Sequence, residues 1–427
     1  MRNRRTDDSS QAVVRRHRPV YQIMLYMGLL LLLGLVVMYA LGPQRASVLN
    51  YAYGSDYADT YFFNKQLVSV IIAIVAFAVC AIVPYKLFTE KYSRILFLAG
   101  LGLCFLLVAF GVLGLPFAEA TNGAYRWFYI GGLGSFQPSE LLKFGALVFV
   151  GGFLGTRFKQ GKINDIQDTL IPLAISVGAA LFVVVVLQKD LGTGIALVAI
   201  VLSMLVASGM DAKIIWKIIG ILGVAGVLLI AIAPHRIERV MTFLTGDSHV
   251  EVGQEDPNYH ITQARIAIGS GGLTGLGIGN SVQASGYLPE AINDSIFAIM
   301  GETFGFVGLV AILALFTALL LALLGVIARL PDMRMRLVVA GVFGWIGSHV
   351  VLNVAAMTGV APLTGIPLPL LSYGGTSMLF IAAALGLSFQ LSRFTTHKPI
   401  AEGGGDGKDL SGRRRVGRTR NTRGSSI

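Results

Sequence analysis

The sequence predicts an all-α integral membrane protein with about ten transmembrane helices. Apolar residues make up 54% of its 427 residues and charged residues only 13%, whereas soluble domains carry about a quarter charged residues. The mean hydropathy is +0.71. Apolar stretches of about 20 residues, the length that crosses the hydrocarbon core of a bilayer, recur along the chain. These observations exclude a soluble domain with a single membrane anchor.

Ten apolar runs are candidate spans. The first is too long for the apolar region of a cleavable signal peptide, so it is predicted to be a spanning helix. The eighth covers 34 residues and would reach roughly 51 Å as one straight helix. We therefore expect its first turns to lie at the interface or to be broken near Gly301, Gly305 and Gly308. The predicted spans are 21–42, 66–84, 95–115, 140–156, 169–187, 191–208, 215–233, 295–328, 337–360 and 375–392.

Basic residues predict the orientation, because Lys and Arg are concentrated in cytoplasmic loops. With the N-terminus inside, 26 of the 34 Lys and Arg residues fall in inner segments. Both termini are therefore predicted to be cytoplasmic. The outer side then carries the loops 116–139, 234–293 and 361–374, and the second is long enough to be a candidate site.

Three parts are predicted along the chain: a basic cytoplasmic tail at 1–20, a membrane domain at 21–393 and a disordered basic cytoplasmic tail at 394–427. The tails hold much of the net charge of +11. Basic runs beside a membrane usually meet anionic lipid headgroups, so membrane lipids are expected partners and nucleic acid is not. Cys80 and Cys104 lie inside apolar runs and are interpreted as packing residues.

Two carboxylates, Glu290 and Asp294, stand just before the strongly apolar eighth span. One interpretation is that Asn293, Asp294 or Ser295 caps this helix, where an anion also suits the helix dipole. The other is that Asp294 is a base that faces a cavity at the membrane surface. The residues alone leave both interpretations open.

The fourth span is preceded by Gln137, and Glu140 and Lys143 stand three residues apart on one face of its helix. Ionisable residues within a span are costly and tend to face a cavity or one another. A structural ion pair and a direct substrate role are both consistent with this spacing. Arg126 lies beside aromatic residues and can bind phosphate through two N–H groups, and Lys189 adds a cation at the outer surface.

The glycine-rich segment 268–280 does not match a nucleotide-binding motif, because no Gly-Lys-Ser/Thr follows it and no βαβ unit surrounds it. A flexible loop that lines a site is the better interpretation. His349 is interpreted as a packed, hydrogen-bonded residue and Glu302 as a residue that faces a cavity. No His, Cys and Asp cluster has the spacing of a metal site.

Five stretches together resemble the SEDS family (shape, elongation, division and sporulation; the FtsW/RodA/SpoVE family). The similarity runs from about residue 21 to 393, and the pairing of YLPE…D…FA with PLPLLSYGG is a specific signature. The family's usual His-Thr-Asp-Phe run is Ile292-Asn293-Asp294-Ser295 here. The five stretches, in family order, are NGAYRWFYIGGLGSFQPSELLKFG, QKDLGTGIAL, YHITQARIAIGSGGLTGLGIGNSVQ, YLPEAINDSIFAIMGETFGFVG and GIPLPLLSYGGTSMLF.

The resemblance implies a peptidoglycan glycosyltransferase that polymerises lipid II on the outer face of the membrane. It also implies ten helices with both ends cytoplasmic, in agreement with the predicted topology. GIGNSVQ and YLPEA favour the division branch of the family, whereas YHITQARIAIGSGG is typical of the elongation branch. A lipid II flippase and a non-catalytic scaffold are the remaining alternatives.

The family's essential aspartate aligns with Asp294, which is therefore the expected catalytic base. The expected partners are lipid II, a class B penicillin-binding protein that cross-links the glycan, and other division proteins, in the plasma membrane at the septum. The sequence leaves open whether a divalent cation, Mg²⁺ or Mn²⁺, acts as a cofactor at the diphosphate. The expected substrate-binding residues are Glu140, Lys143, Arg126, Lys189, Arg265, Gln137, Glu290 and Ser372.

Overall fold

The computed structural model describes residues 18–120, 123–129, 131, 134–231, 237, 241 and 257–395. Most of the two predicted tails and the first part of the predicted long outer loop lie outside these residues. The described chain is built almost entirely of helices, as predicted. They are α1 Tyr21–Tyr53, α2 Tyr61–Ile82, α3 Ser93–Val112, α4 Pro138–Lys159, α5 Ile171–Leu181, α6 Leu191–Ala207, α7 Ala212–Ala231, α8 Pro257–Ser270, α9 Ile296–Arg329, α10 Met333–Met357 and α11 Gly375–Leu391.

Short elements connect or extend these helices. A two-stranded antiparallel hairpin pairs β1, Phe128–Tyr129, with β2, Ser135–Phe136. The π-helical and 3₁₀ turns are Leu87–Lys91, Ile166–Leu170, Phe182–Leu187, Gln283–Ser285 and Ser392–Phe394.

Length and exposure of the described helices confirm a multi-pass membrane protein. Nine helices among the described residues are long and apolar enough to cross a membrane, with α5 and its flanking π-helical turns forming one span, Ile166–Leu187. The remaining predicted span is α6, which is 17 residues long. Leu25, Ile71 and Leu98 are each more than half exposed, and α7 has no buried residue. So much outward apolar surface requires an apolar surrounding.

Two differences between the predicted and the observed elements are larger than a few residues. The predicted first span ends at residue 42, but α1 continues to Tyr53. The helix therefore extends past the end of the apolar run as a more polar segment. A helix, α8, also occupies part of the predicted loop 234–293. Its sequence is too polar to be recognised as a span.

Segments predicted to share one side of the membrane lie at one end of the bundle. Lys159 and Asp332 form a salt bridge of 3.0 Å between the ends of α4 and α10. The amide of Asp211 donates to Asn164 Oδ1 over 3.0 Å. These contacts define the basic end, formed by segments 84–93, 157–166, 208–212, 329–334 and 392–395. The opposite, or Asp294, end is formed by segments 43–60, 113–120, 123–129, 134–137, 188–190, 271–295 and 358–374.

The long helix α9 is broken at Gly305, one of the three glycines where a break was expected. Gly305 has φ +67° and ψ −169°, a conformation that glycine adopts far more readily than other residues. The break divides α9 into a short, mostly buried helix, 296–304, and a long spanning helix, 306–329. The prediction of a broken eighth span is confirmed.

The break removes two backbone hydrogen bonds from α9, because Phe306 and Val307 would normally donate to the carbonyls of Glu302 and Thr303. Bonds to the glycine-rich loop (residues 271–277) replace them in both directions, so the amides of Phe306 and Val307 and the carbonyls of Glu302 and Thr303 all keep partners. The four bonds are Leu276 N to Glu302 O at 2.9 Å, Gly277 N to Thr303 O at 3.1 Å, Phe306 N to Gly272 O at 2.9 Å and Val307 N to Leu273 O at 3.1 Å.

Glycine is required where this loop approaches α9. Gly275 has φ +83°, and a Cβ atom there would lie 2.2 Å from Thr303 O. A Cβ atom on Gly271 would lie 2.0 Å from Gly301 O. The predicted flexibility is therefore wrong for residues 271–277, which are fixed against the helix break by backbone contacts. That the loop lines a site stays a prediction.

Replacing Gly305 with alanine is expected to destabilise the protein by at least about 2 kcal/mol, because a side chain at positive φ is strained. The new Cβ atom would also lie 2.3 Å from Gly275 N. Thermal unfolding in detergent, followed by circular dichroism, measures the effect. The matched control is Gly102→Ala in α3, where a Cβ atom meets nothing within 4 Å. Equal unfolding temperatures for Gly305→Ala and the wild type would contradict the assigned role of the break.

Candidate active site

Asp294 lies at the junction between an irregular loop and the short helix 296–304. The N-cap residue of α9 is Ser295, and its side chain makes no capping hydrogen bond. Asp294 therefore precedes the capping position, while its carboxylate remains close to the positive end of the helix dipole. The residue is partly exposed while its Oδ1 atom is buried, so an external group has to reach the carboxylate through Oδ2.

Ser295 and His260 form a buried pair beside Asp294. Ser295 Oγ donates its proton to Pro289 O over 2.8 Å. Since the hydroxyl has one proton, His260 Nε2 is the donor in the 2.6 Å contact to Ser295 Oγ. This contact ties α8 to the loop that carries Asp294.

Asn353 of α10 fixes the backbone of Asp294. Its side-chain amide donates to Asp294 O over 2.7 Å and to Ile366 O over 2.8 Å. One side chain thus joins the Asp294 junction to the proline-rich loop (residues 361–374). Asp294 Oδ2 lies 3.7 Å from the position of a Cβ atom on Gly365, which has φ +66°. The missing side chain of Gly365 keeps space open in front of the carboxylate.

The proline-rich loop is held from within and from the Asp294 junction. Leu368 N donates to Ser372 Oγ over 2.8 Å, and Tyr373 N donates to Ile292 O over 2.8 Å. Ser372 is buried, so its hydroxyl closes a turn of the loop. Burial, with Tyr61 and Tyr57 nearby, raises the pKa of Tyr373 to about 12, and the phenol is therefore neutral at physiological pH.

One face of α10 carries three of the residues that organise this end of the bundle. Trp345, His349 and Asn353 are spaced four residues apart and share that face. His349 Nδ1 donates to Pro367 O over 3.4 Å, so His349 contacts the same proline-rich loop as Asn353. The interpretation of His349 as a packed, hydrogen-bonded residue agrees with this contact.

Glu140 and Lys143 form an enclosed ion pair in α4. Lys143 Nζ lies 2.7 Å from Glu140 Oε1, and the two residues are 1% and 3% exposed respectively. Because His349 Nδ1 carries its proton, Nε2 is free to accept from Lys143 Nζ at 3.5 Å. The ammonium group also lies 5.0 Å from the centre of the Trp345 ring, a cation–π arrangement. Two side chains of α10 therefore contact the ammonium group of the pair.

Arg126 and Lys189 connect two loops at the Asp294 end. Arg126 Nη2 donates to Lys189 O over 2.8 Å and Arg126 Nε to Gln188 O over 3.4 Å. Lys189 Nζ returns a bond to Gly123 O over 3.2 Å. Lys189 has φ +53°, so this turn holds a non-glycine residue in a strained conformation. Both cations keep further N–H groups for an anion.

The start of α6 packs against the proline-rich loop. Asp190 caps α6 by accepting from Thr193 N over 2.9 Å, and Gln137 donates to Asp190 Oδ2 over 3.5 Å. A Cβ atom on Gly192 would lie 3.0 Å from Thr364 O. The turn that carries Lys189 therefore lies against the same loop that faces Asp294.

Arg265 of α8 covers the end of α10. Its Nη2 donates to Gly359 O over 3.0 Å and its Nε to Thr358 O over 3.4 Å, where a cation suits the helix dipole. Arg265 is exposed. Thr358 lies five residues beyond Asn353, or about 7.5 Å along the helix axis, so Arg265 lies on the Asp294 side of the bundle.

Two further acidic residues near Asp294, Glu290 and Glu302, differ in exposure. Glu290 is exposed, has φ +49° and accepts from the side chain of Asn293. Glu302 is 1% exposed, and its carboxylate accepts a hydrogen bond from Ser281 Oγ at 2.5 Å. It also accepts from the backbone amide of Val282 at 3.0 Å and from that of Gln283. The expectation that Glu302 faces a cavity is therefore wrong, because the carboxylate holds a loop closed.

Within the described ranges, no group of three His, Cys, Asp or Glu side chains is placed to hold a metal ion.

Comparison with known proteins identifies the family. The family model described as cell cycle protein, the FtsW/RodA/SpoVE family, matches residues 21–397. This chain belongs to that family. Stage V sporulation protein E of Bacillus subtilis (strain 168) is 34% identical over 375 residues, which cover 86% of this chain and 95% of that protein.

Other family members and solved structures agree. A protein of Nitrosomonas europaea named probable peptidoglycan glycosyltransferase FtsW is 33% identical over 368 residues, covering 85% of this chain and 90% of that protein. A chain of a peptidoglycan synthase complex matches with a TM-score of 0.66 at 24% identity, covering 88% of this chain and 98% of that chain. The crystal structure of Thermus thermophilus RodA matches with a TM-score of 0.62 at 23% identity, covering 89% and 98%. These likenesses show that the fold is the same.

Two residues of the site of this FtsW/RodA/SpoVE family member were not predicted. His260 lies within the stretch YHITQAR, and Asn353 lies in an apolar helix with no motif around it. An isolated asparagine in a span is the one signal that was available, since a polar side chain there needs a partner. The structure brings Asp294 and the proline-rich loop together at Asn353.

The enclosure of Glu140 and Lys143 leads to a prediction for stability. Removing one partner of a buried ion pair typically costs 3–5 kcal/mol, because the other charge is left uncompensated. Glu140→Gln and Lys143→Met are each expected to lower the unfolding temperature in detergent, and the double variant is expected to recover most of the loss. Additive losses from the two single changes would contradict the pairing.

Proposed function

We propose that this chain is a peptidoglycan glycosyltransferase that polymerises lipid II into glycan strands at the outer face of the membrane, with Asp294 as the catalytic base. The observation that carries the proposal is the Asp294 junction, where a partly exposed carboxylate is held by its backbone. The names of its relatives support the reaction type, since several are called probable peptidoglycan glycosyltransferase.

The proposed reaction joins two lipid II-derived sugars. The 4-hydroxyl oxygen of the acceptor GlcNAc attacks C1 of the donor MurNAc, and the new O4–C1 bond forms as the bond from C1 to the phosphate oxygen breaks. The electron pair of that bond leaves with undecaprenyl diphosphate. The hydroxyl proton passes to the Asp294 carboxylate and then to water. Attack opposite to the leaving group inverts the configuration at C1.

Asp294 suits the role of base because its position is fixed while its carboxylate can be reached. Asn353 holds the backbone carbonyl, and Gly365 leaves the space in front of Oδ2 unfilled. A base must lie within hydrogen-bond reach of the proton that it takes, and a fixed base meets that condition without reorganisation.

Arg265 and Lys189 are better placed than Lys143 to bind the diphosphate. Both are exposed, and each uses only part of its N–H groups on backbone carbonyls. Lys143 is enclosed and neutralised by Glu140. The stable double variant Glu140→Gln/Lys143→Met tests this assignment, because it retains activity if the pair is structural and loses it if the pair binds substrate.

The partner and the cellular site are part of the proposal. A class B penicillin-binding protein would cross-link the strands that this chain polymerises, in line with the structural likeness to a peptidoglycan synthase complex. Relatives named FtsW favour action with other division proteins at the septum. An elongation role is the alternative within the family, given the likeness to a RodA structure.

The Asp294→Asn variant is expected to lose polymerisation of labelled lipid II by 10²–10⁴-fold, the typical contribution of a positioned base. The assay follows glycan length on gels, in liposomes that contain the cognate transpeptidase, with and without Mg²⁺ or Mn²⁺. Asp56→Asn is the matched control, since Asp56 is exposed at the same end of the bundle. Equal glycan products from Asp294→Asn and wild type would contradict the role of Asp294.

A lipid II flippase is the second candidate, because a broken helix beside a charged site is also typical of transporters. Translocation of fluorescent lipid II across liposomes distinguishes the two functions. The proposed enzyme forms glycan in the polymerisation assay, whereas a flippase forms none. A flippase would also translocate lipid II when Asp294 is replaced by Asn.

A further inference from the structure

A cavity lies at the basic end of the bundle, away from Asp294. It has a volume of about 520 Å³, opens to the surface and is lined by the ends of α3, α4 and α10 and the π-helical turn before α3. Its lining residues are Thr89, Glu90, Ser93, Arg94, Phe149, Gly152, Phe153, Thr156, Arg157, Gln160 and Arg334. The cavity is separated from the proposed catalytic site by the length of the bundle.

The lining of this cavity carries an excess of positive charge. Three guanidinium groups, from Arg94, Arg157 and Arg334, face one carboxylate, Glu90. Glu90 is already paired with Arg334. Among the described residues, Arg94 and Arg157 form no salt bridge with a carboxylate. Two cations therefore lack an anionic partner at one site.

Polar groups inside the cavity are arranged to receive an acceptor. The Nε atom of Arg334 is buried and has no hydrogen-bond partner among the described residues, while its Nη2 donates to Thr156 Oγ1 over 3.2 Å. Ser93 is buried at the cavity wall. The contacts of the Arg334 terminal N–H groups with Glu90 and Thr156 fix the guanidinium group at the cavity wall.

One wall of the cavity is aromatic. Phe149 stacks on Phe97 with 4.8 Å between ring centres and on Phe153 with 6.2 Å. Arg157 lies over the Phe153 ring at 5.2 Å. Guanidinium groups above an apolar wall match a ligand with a charged head and an apolar body, as at the headgroup level of a membrane.

We propose that this basic cavity binds a phosphate group, through Arg94, Arg157 and Arg334, and that the aromatic wall favours the phosphate of an anionic phospholipid. Arginine suits this ligand because its N–H groups match the spacing of phosphate oxygens. Pockets of basic residues between helix ends are also typical of anionic lipid binding. The site goes beyond the proposed polymerase activity, because none of its residues belongs to the Asp294 end.

Native mass spectrometry of the full-length protein in neutral detergent tests the proposal by counting bound phosphatidylglycerol during a titration, with phosphatidylcholine as the uncharged comparison. The test variant is Arg94→Gln/Arg157→Gln, which leaves the pair between Arg334 and Glu90 in place. The charge-matched control is Lys86→Gln/Arg329→Gln, since both residues are exposed on the same end and outside the cavity. Equal unfolding temperatures of the two double variants show that both are folded.

The expected result is preference for phosphatidylglycerol in wild type and control, with affinity roughly tenfold weaker in Arg94→Gln/Arg157→Gln. If the lipids bind equally but inorganic phosphate binds the wild type and not the test variant, the recognised group is confirmed and its source is a free phosphate. Equal weakening in both double variants, or no binding of either phosphate-bearing ligand, would overturn the proposal.

Discussion

The architecture of the candidate site depends on satisfying the backbone where α9 is broken at Gly305. A helix that breaks inside the hydrocarbon core of a bilayer leaves backbone amides and carbonyls without water to bind them. The glycine-rich loop (residues 271–277) supplies both the donors and the acceptors that the break requires. The short helix 296–304 can therefore end deep in the protein and present Asp294 at its start, while Glu302 on the same helix holds the loop that begins at Ser281.

The proline-rich loop (residues 361–374) then sets the surroundings of Asp294. It has no regular structure of its own, so side chains from other elements hold it. Asn353 and His349 reach it from one face of α10, and Gly192 allows α6 to approach it closely. Because His349 also contacts Lys143, the buried ion pair in α4 is connected to this loop through one imidazole ring. A charged pair within a span is thus linked to the loop that faces Asp294.

Apolar run length predicted the spans, and the excess length of the eighth run predicted the break at Gly305. Both follow from local sequence and the thickness of a bilayer. Asn353 was not predicted, because its contact with Asp294 joins residues 59 positions apart, and periodicity carries no information about such pairs. The contact between His260 and Ser295 was not predicted for the same reason, since the two residues are 35 positions apart. The glycine-rich loop was misinterpreted because glycine permits both flexibility and close backbone approach, and its sequence does not distinguish them.

In the proposed reaction, Asp294 takes the proton that is transferred and does not merely bind substrate or cap a helix. This role is tested by comparing the dissociation constant for lipid II with the single-turnover rate constant at saturation, for wild type and Asp294→Asn. If Asp294 is the base, the affinity of the variant is within about threefold of wild type and its rate constant is lower by 10²–10⁴-fold. Weakened binding with an unchanged rate constant at saturation would contradict it.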